Sequence, residues 1–231
     1  FGLCIDPDPS TAAVFFKPST GALDPLSARA LVLDNGSVRM AIVKVDAIGM
    51  SRKLRDEVAG VARTTYGVTD GLFAMVATHT HSGPGGVSDQ AAWEIVASDC
   101  FSQPVYDAVR DSAVTALKKA TAALQNAQLG VGSTMVSGAT QIRDDPYPTI
   151  PAMPDIELGL IKVTTTGATP QPIAALFNFA VHGTWYGASN LQTSADYMGA
   201  IETQVQAALP AGVVPIFTNG AEGDVKPTKT A

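Results

Sequence analysis

The chain has 231 residues, 46% hydrophobic and 16% charged, with a formal net charge of -6 from 15 lysines and arginines against 21 acids. That length and apolar content suffice for a full core and exclude disorder and coiled coil; the lack of a basic cluster excludes a nucleic-acid partner. Its longer apolar stretches, such as residues 173–181, are far too short to cross a bilayer, so the chain reads as soluble, with any membrane contact peripheral. Cys4 and Cys100 suit one disulfide or two buried thiols alike. Sparse lysine with abundant Ser, Thr and Ala fits a secreted or extracytoplasmic protein, and a start at Phe1 without a visible leader fits a processed or trimmed chain.

After a proline-set turn at residues 6–10, residues 28–34 and 38–46 read as two strands joined by Asn35-Gly36, a pair suited to a tight hairpin turn. The second strand is apolar and ends on Asp46. A helix follows, N-capped by Ser51, with Leu54, Val58, Val61 and Ala62 on one face and Gly67 closing it. Residues 72–77 form a short apolar strand that delivers His79 and His81 into the glycine-rich loop 82–86. Residues 103–124 predict the longest helix, with Pro104 in its first turn and Val105, Val109, Ala113, Leu117 and Leu124 on its apolar face. Residues 129–136 read as a strand, and 143–154 as a polar, proline-rich insertion. Residues 158–163 and 173–181 pair as a hairpin, residues 195–209 contain a helix ended by Pro210, and residues 213–218 form a last strand. The pattern predicts an α/β fold over a single domain spanning 1–231: a mixed β-sheet core flanked by helices, with chemistry beyond the strands' carboxyl ends.

Three histidines carry the chemistry. His79 and His81, spaced i, i+2, point the same way on an extended backbone, and His182 follows a second apolar strand. His79 and His182 are expected as metal ligands, with His81 a further ligand or an acid and base. A catalytic zinc takes about three protein ligands and leaves a position for water, so a carboxylate is expected close by. Asp46 is favoured for it over Asp196, which also suits a helix start, and over Glu222. Gly83 permits close backbone approach to a substrate, and the loop holding Asn219, Glu222, Gly223 and Asp224 can present N–H groups and acids, unless it is a plain surface turn. Trp185 and Tyr186 suit an apolar pocket, whereas Phe73, Phe177 and Phe179 suit the core. There is no phosphate loop, dinucleotide loop or Gly-x-Ser-x-Gly elbow.

The segment from His79 to Gly86 resembles the His-Thr-His-Ser-Gly-Pro-Gly motif of the neutral/alkaline non-lysosomal ceramidases. Residues 177–184 resemble their second histidine segment, 219–227 their Gly-Asp-Val-Ser-Pro motif, and 28–49 their early hairpin. The resemblance implies a ceramidase-like zinc hydrolase fold, zinc on His79 and His182, and His81 facing the substrate. It also implies two departures. Lys226 stands where the family has a functional serine, and offers a cation for a carboxylate or an oxyanion instead. The family's glutamate and tyrosine ligands belong to sequence beyond the last motif, so the domain reads as incomplete relative to the family. Three readings follow: a zinc-dependent hydrolase of ceramide or another N-acyl amide, a non-catalytic homologue binding metal or a lipid-like ligand, and one part of a hydrolase whose site a partner chain completes.

Overall fold

The computed structural model describes residues 18–143, 153–187 and 189–229. In chain order it contains β1 (Gly21–Ala22), β2 (Ala28–Asp34), β3 (Arg39–Val45), α1 (Arg52–Tyr66), β4 (Phe73–Ala77) and α2 (Ala91–Trp93), which runs into a π-helical turn over Glu94–Ser98. There follow α3 (Gln103–Ala122), β5 (Ala127–Met135), β6 (Thr140–Ile142), β7 (Glu157–Thr165) and β8 (Pro172–Phe179). The last are β9 (Gln192–Thr193), α4 (Asp196–Ala208), β10 (Val214–Asn219) and β11 (Val225–Pro227).

The expected mixed sheet is divided into two main sheets. One runs β2-β3-β4, with an antiparallel β2–β3 hairpin and β4 parallel to β3; the other runs β10-β8-β7-β5, with β10 parallel to β8 and the rest antiparallel. Alternation along each strand explains the stacking. Ala41, Val43 and Val45 face Leu54, Val58 and Ala62 of α1 and Tyr106, Ala113 and Leu117 of α3. Leu31 and Ile42, on the opposite face, meet Val163, Ala174, Leu176 and Ile216 of the second sheet. That sheet's outer face sets Phe177, Phe179 and Phe217 against Met198 of α4. The result is four layers, helix, sheet, sheet, helix, in which each fully buried aliphatic or aromatic side chain contributes roughly 1.5–3 kcal/mol.

Local signals behave as their chemistry requires. Ser51 Oγ accepts the Leu54 N–H at 3.2 Å, and Gly67 closes α1 at φ 66°. The expected face of α3 is buried at Ala113 and Leu117, but the helix stops at Ala122 and leaves Leu124 37% exposed. β5 is an outer strand, so its apolar Leu129, Val131 and Met135 are exposed. Most of the 143–154 insertion lies outside the described residues. So does Cys4; Cys100 is disulfide-bonded. No described helix is long and apolar enough to cross a membrane.

Candidate metal centre

The two sheets converge where β4 and β8 end. Beyond β4, Thr78 N–H donates to Val45 O and His79 N–H to Ala47 O, extending the pairing with the β3 side of the sheet. His79 then turns into the left-handed region at φ 61°, a conformation costing a non-glycine residue on the order of 1–3 kcal/mol and one that concentrates at functional sites. Thr80 bridges to Gly183, and His81 N–H donates to Gly183 O at 2.8 Å, which ties the two histidine segments together. Only glycine fits at 183, because a Cβ there would collide with the His79 carbonyl and the Thr80 backbone.

The three imidazoles meet through Nε2. His79 and His182 are 3.1 Å apart, His81 and His79 3.3 Å, and His182 and His81 3.0 Å. His79 Nδ1 lies 2.6 Å from Ile48 O and His182 Nδ1 lies 3.1 Å from Glu222 O. A carbonyl can only accept, so both Nδ1 atoms carry the proton and both Nε2 atoms present lone pairs. Arg143 Nη1, which can only donate, is 3.0 Å from His182 Nε2 and agrees with that tautomer. Two lone pairs facing each other at 3.1 Å favour a cation between them. The triangle fits one: nitrogens at the corners of a tetrahedral zinc site, with bonds of about 2.0–2.1 Å, are roughly 3.3 Å apart. Among the described residues, His79, His81 and His182 are the group with metal-binding geometry.

Burial disfavours the charged forms of His81 and His182, and the neutral form is the one that binds metal. His81 is exposed at its outer edge, yet desolvation of its crowded ring, then His79, His182 and Arg143, push its pKa down to about 4. Burial also lowers His182, against the opposing hydrogen bond to the Glu222 carbonyl. Burial raises Glu222 to about 7.

The structure does not bring Asp46 into this cluster. Its carboxylate accepts from Lys44 Nζ at 2.8 Å, Ser27 N–H at 2.8 Å, Ser27 Oγ at 2.9 Å and Thr78 Oγ1 at 3.1 Å, leaving it committed to a buried ion pair rather than to metal. Asp196 is likewise occupied, accepting the N–H groups of Trp185, Tyr186 and Tyr197. Glu222 is the acid nearest the cluster, but its Oε1 lies 3.9 Å from the Nδ1 side of His79, behind the ring. Lys226 sits half-buried in β11 between the buried Val225 and Pro227, and no hydrogen bond or ion pair joins it to the histidines among the described residues. Gly83 packs on Thr80 and Ala47. Asn219 Nδ2 donates to Thr78 O, the Asp224 carbonyl accepts from Arg143 N–H, and Gly223 is exposed. Sequence reasoning missed Arg143, Gly183 and the carbonyls of Ile48 and Glu222. Gly183 had a readable signal, a glycine directly after a strand-end histidine; a lone arginine before a proline-rich loop and backbone carbonyls had none.

A four-layer αββα fold brings three histidines together at the joined strand ends, in a geometry that could hold a metal ion. Residues 13–231 match the family described as neutral/alkaline non-lysosomal ceramidase, N-terminal, and the chain belongs to that family. It is 27% identical over 218 residues to neutral ceramidase B of Dictyostelium discoideum, covering 87% of this chain and 30% of the relative. Against the neutral ceramidase of Pseudomonas aeruginosa it is 27% identical over 211 residues, with 87% and 31% covered. The crystal structure of a Pseudomonas aeruginosa neutral ceramidase superposes with a TM-score of 0.77 at 24% identity, over 88% of this chain and 34% of that one. A ceramidase complexed with C2 superposes at 0.74 and 23% identity, over 87% and 33%. The fold is therefore shared, and the chain spans about a third of the length of the relatives it matches.

Proposed function

We propose that this chain carries the metal centre of a zinc-dependent hydrolase that cleaves an amide bond, in ceramide or another N-acyl compound. The observation that carries the reading is the convergence of three Nε2 atoms, two of them fixed as lone-pair donors by carbonyls behind the rings. Zinc held by His79 and His182 would supply Lewis acidity to the scissile carbonyl and to water. His81 differs from them, since no carbonyl fixes its Nδ1 among the described residues and one edge of its ring is exposed. It takes the proton from the attacking water and returns it to the departing amine. Arg143, whose Nη1 donates to His182 Nε2 at 3.0 Å in the metal-free protein, would be released when that lone pair takes zinc, leaving a permanent cation at the cluster for developing negative charge.

The family resemblance and the 30% coverage of the relatives support a further polypeptide segment, on the same or a partner chain, that completes the ligand set. The disulfide at Cys100 supports an extracytoplasmic setting, where a lipid-like amide is met at a membrane surface. A second reading, a non-catalytic homologue that binds metal, draws on Lys226, which stands where the resembling family has a serine and, among the described residues, makes no hydrogen bond or ion pair to the histidines. The deciding experiment follows hydrolysis of short and long N-acyl amides before metal removal, after thorough chelation and after zinc return. Loss and recovery of turnover is the expected result. Activity indifferent to chelation overturns the proposal, and zinc binding without turnover on any substrate favours the second reading.

A further inference from the structure

Glu222 touches the backs of two histidines. Its carbonyl oxygen accepts from His182 Nδ1 at 3.1 Å, and its Oε1 lies 3.9 Å from His79 Nδ1. The side chain is 20% exposed, and its Oε2 is buried with no hydrogen-bond partner. A buried, unpaired carboxylate is costly to a fold, and the surrounding loop does not need it. That loop is already fixed through its backbone: Val225 N–H donates to Glu222 O, His182 N–H to Val225 O, and Arg143 N–H to Asp224 O. Asn219 adds a side-chain bond to Thr78 O, directly before His79. The other acids near the cluster are spoken for, Asp46 by Lys44, Ser27 and Thr78, and Asp196 by three backbone N–H groups.

We propose that Glu222 is the positioning residue of the metal centre, its carbonyl accepting the His182 Nδ1 proton and its carboxylate, 3.9 Å from a His79 Nδ1 that donates to Ile48 O, raising the basicity of His79 Nε2 toward a divalent cation. The inference rests on the metal-centre reading above. Ile48 O takes the His79 proton directly, and the carboxylate on the same side of the ring favours that tautomer and raises the basicity of Nε2. Glu222 acts through the histidines and is not itself a ligand.

The division between backbone and side chain makes the test internally controlled. In Glu222→Ala the carbonyl remains and the carboxylate is gone. Long-range proton–nitrogen NMR of the metal-free protein is expected to show both rings still as Nδ1–H tautomers, held by the carbonyls of Ile48 and Glu222, with the His79 Nε2 resonance shifted and that of His182 unchanged. Zinc affinity, measured by chelator competition, is expected to fall 10–100-fold. Glu222→Gln, which keeps size and an acceptor oxygen, is expected to fall between wild type and Glu222→Ala, and it decides the matter if the alanine variant fails to fold. An unchanged His79 Nε2 resonance with unchanged zinc affinity in a folded variant overturns the proposal. If the wild-type protein takes up no zinc, the metal-centre reading fails, and the His79 Nε2 resonance still decides whether Glu222 acts on that ring.

Discussion

Thr78 separates two polar clusters, one buried and one partly exposed, that obey opposite rules. On one side, Lys44 Nζ meets Asp46 at 2.8 Å and Glu202 at 2.9 Å, with these side chains at most 1% exposed; Arg29 also pairs with Glu202. Glu202 further accepts the Phe217 N–H, and Asp46 accepts from Ser27 and Thr78, so charge and hydrogen bonds are satisfied within the cluster. On the other side, the histidines turn lone pairs toward one another, Glu222 Oε2 has no partner, and His79 holds a strained backbone angle. The closed cluster bolts α4 and both sheets together. The open one has the geometry to hold a cation, and its strain is held in place by the closed one through the Asp46–Thr78 bond.

The largest effect should come from opening the closed cluster. Lys44→Met leaves Asp46 as an uncompensated buried charge and Glu202 with Arg29 alone, for which a loss of about 3–5 kcal/mol is expected in urea unfolding. His182→Ala should do the reverse, leaving metal-free stability within about 1 kcal/mol of wild type while abolishing zinc retention. Equal destabilisation by both would break the distinction between a structural and a functional cluster.

Gly183→Ala attacks the joint between the histidine segments. Its Cβ collides with backbone rather than with a side chain able to swing away. A loss of about 1–3 kcal/mol is expected, together with weaker zinc binding as the rings are pushed apart. Wild-type stability with normal affinity would mean that the Thr80–Gly183 bridge does not set the spacing.

Zinc itself sharpens the comparison. At a hundredfold excess over its dissociation constant it should stabilise the folded protein by about 2.7 kcal/mol. His79→Ala should remove that gain entirely. Asp46→Asn should lower the baseline by weakening the Lys44 pair and keep the gain. A lost gain in Asp46→Asn would return that residue to the metal site.

The same contrast explains what the sequence disclosed. Strands, caps and the histidine pair were legible because they rest on local spacing: Asn35-Gly36 between apolar runs, Ser51 three residues before Leu54, two histidines one residue apart. The division into two sheets was not, since β2, β3 and β7, β8 have similar alternation and only their partners differ. Asp46 misled for a related reason. A carboxylate ending a strand beside a histidine motif looks like a ligand, and the residues that commit it include Lys44, hidden in an apolar strand, whose other partner Glu202 is 158 positions away. The His79 backbone angle and the carbonyls of Ile48 and Glu222 leave no mark on residue type at all. The clustered histidines are written in side chains; what fixes the tautomers of His79 and His182 is written in the main chain.

The smallest predicted effect tests the open cluster through pH in metal-free protein. The Glu222 pKa rises from 4.5 to about 7 on folding, so the folded state binds more protons between those values, and stability falls as pH rises through that window. His81 has the opposite sign. Its pKa drops from 6.5 to about 4, the unfolded chain binds more protons in between, and stability is lost as pH falls through that range. The two nearly offset between pH 4.5 and 6.5 and separate outside it. Glu222→Gln should therefore melt above wild type at pH 8, by on the order of 1 kcal/mol after screening, and match it near pH 4.5. His81→Gln should gain on wild type near pH 4.5 and match it at pH 8. Melting curves for the three proteins across pH 4–8 check both signs at once. Parallel curves would mean that neither group is desolvated by the fold, and the open cluster would then be an ordinary wet surface rather than a site built to receive a cation.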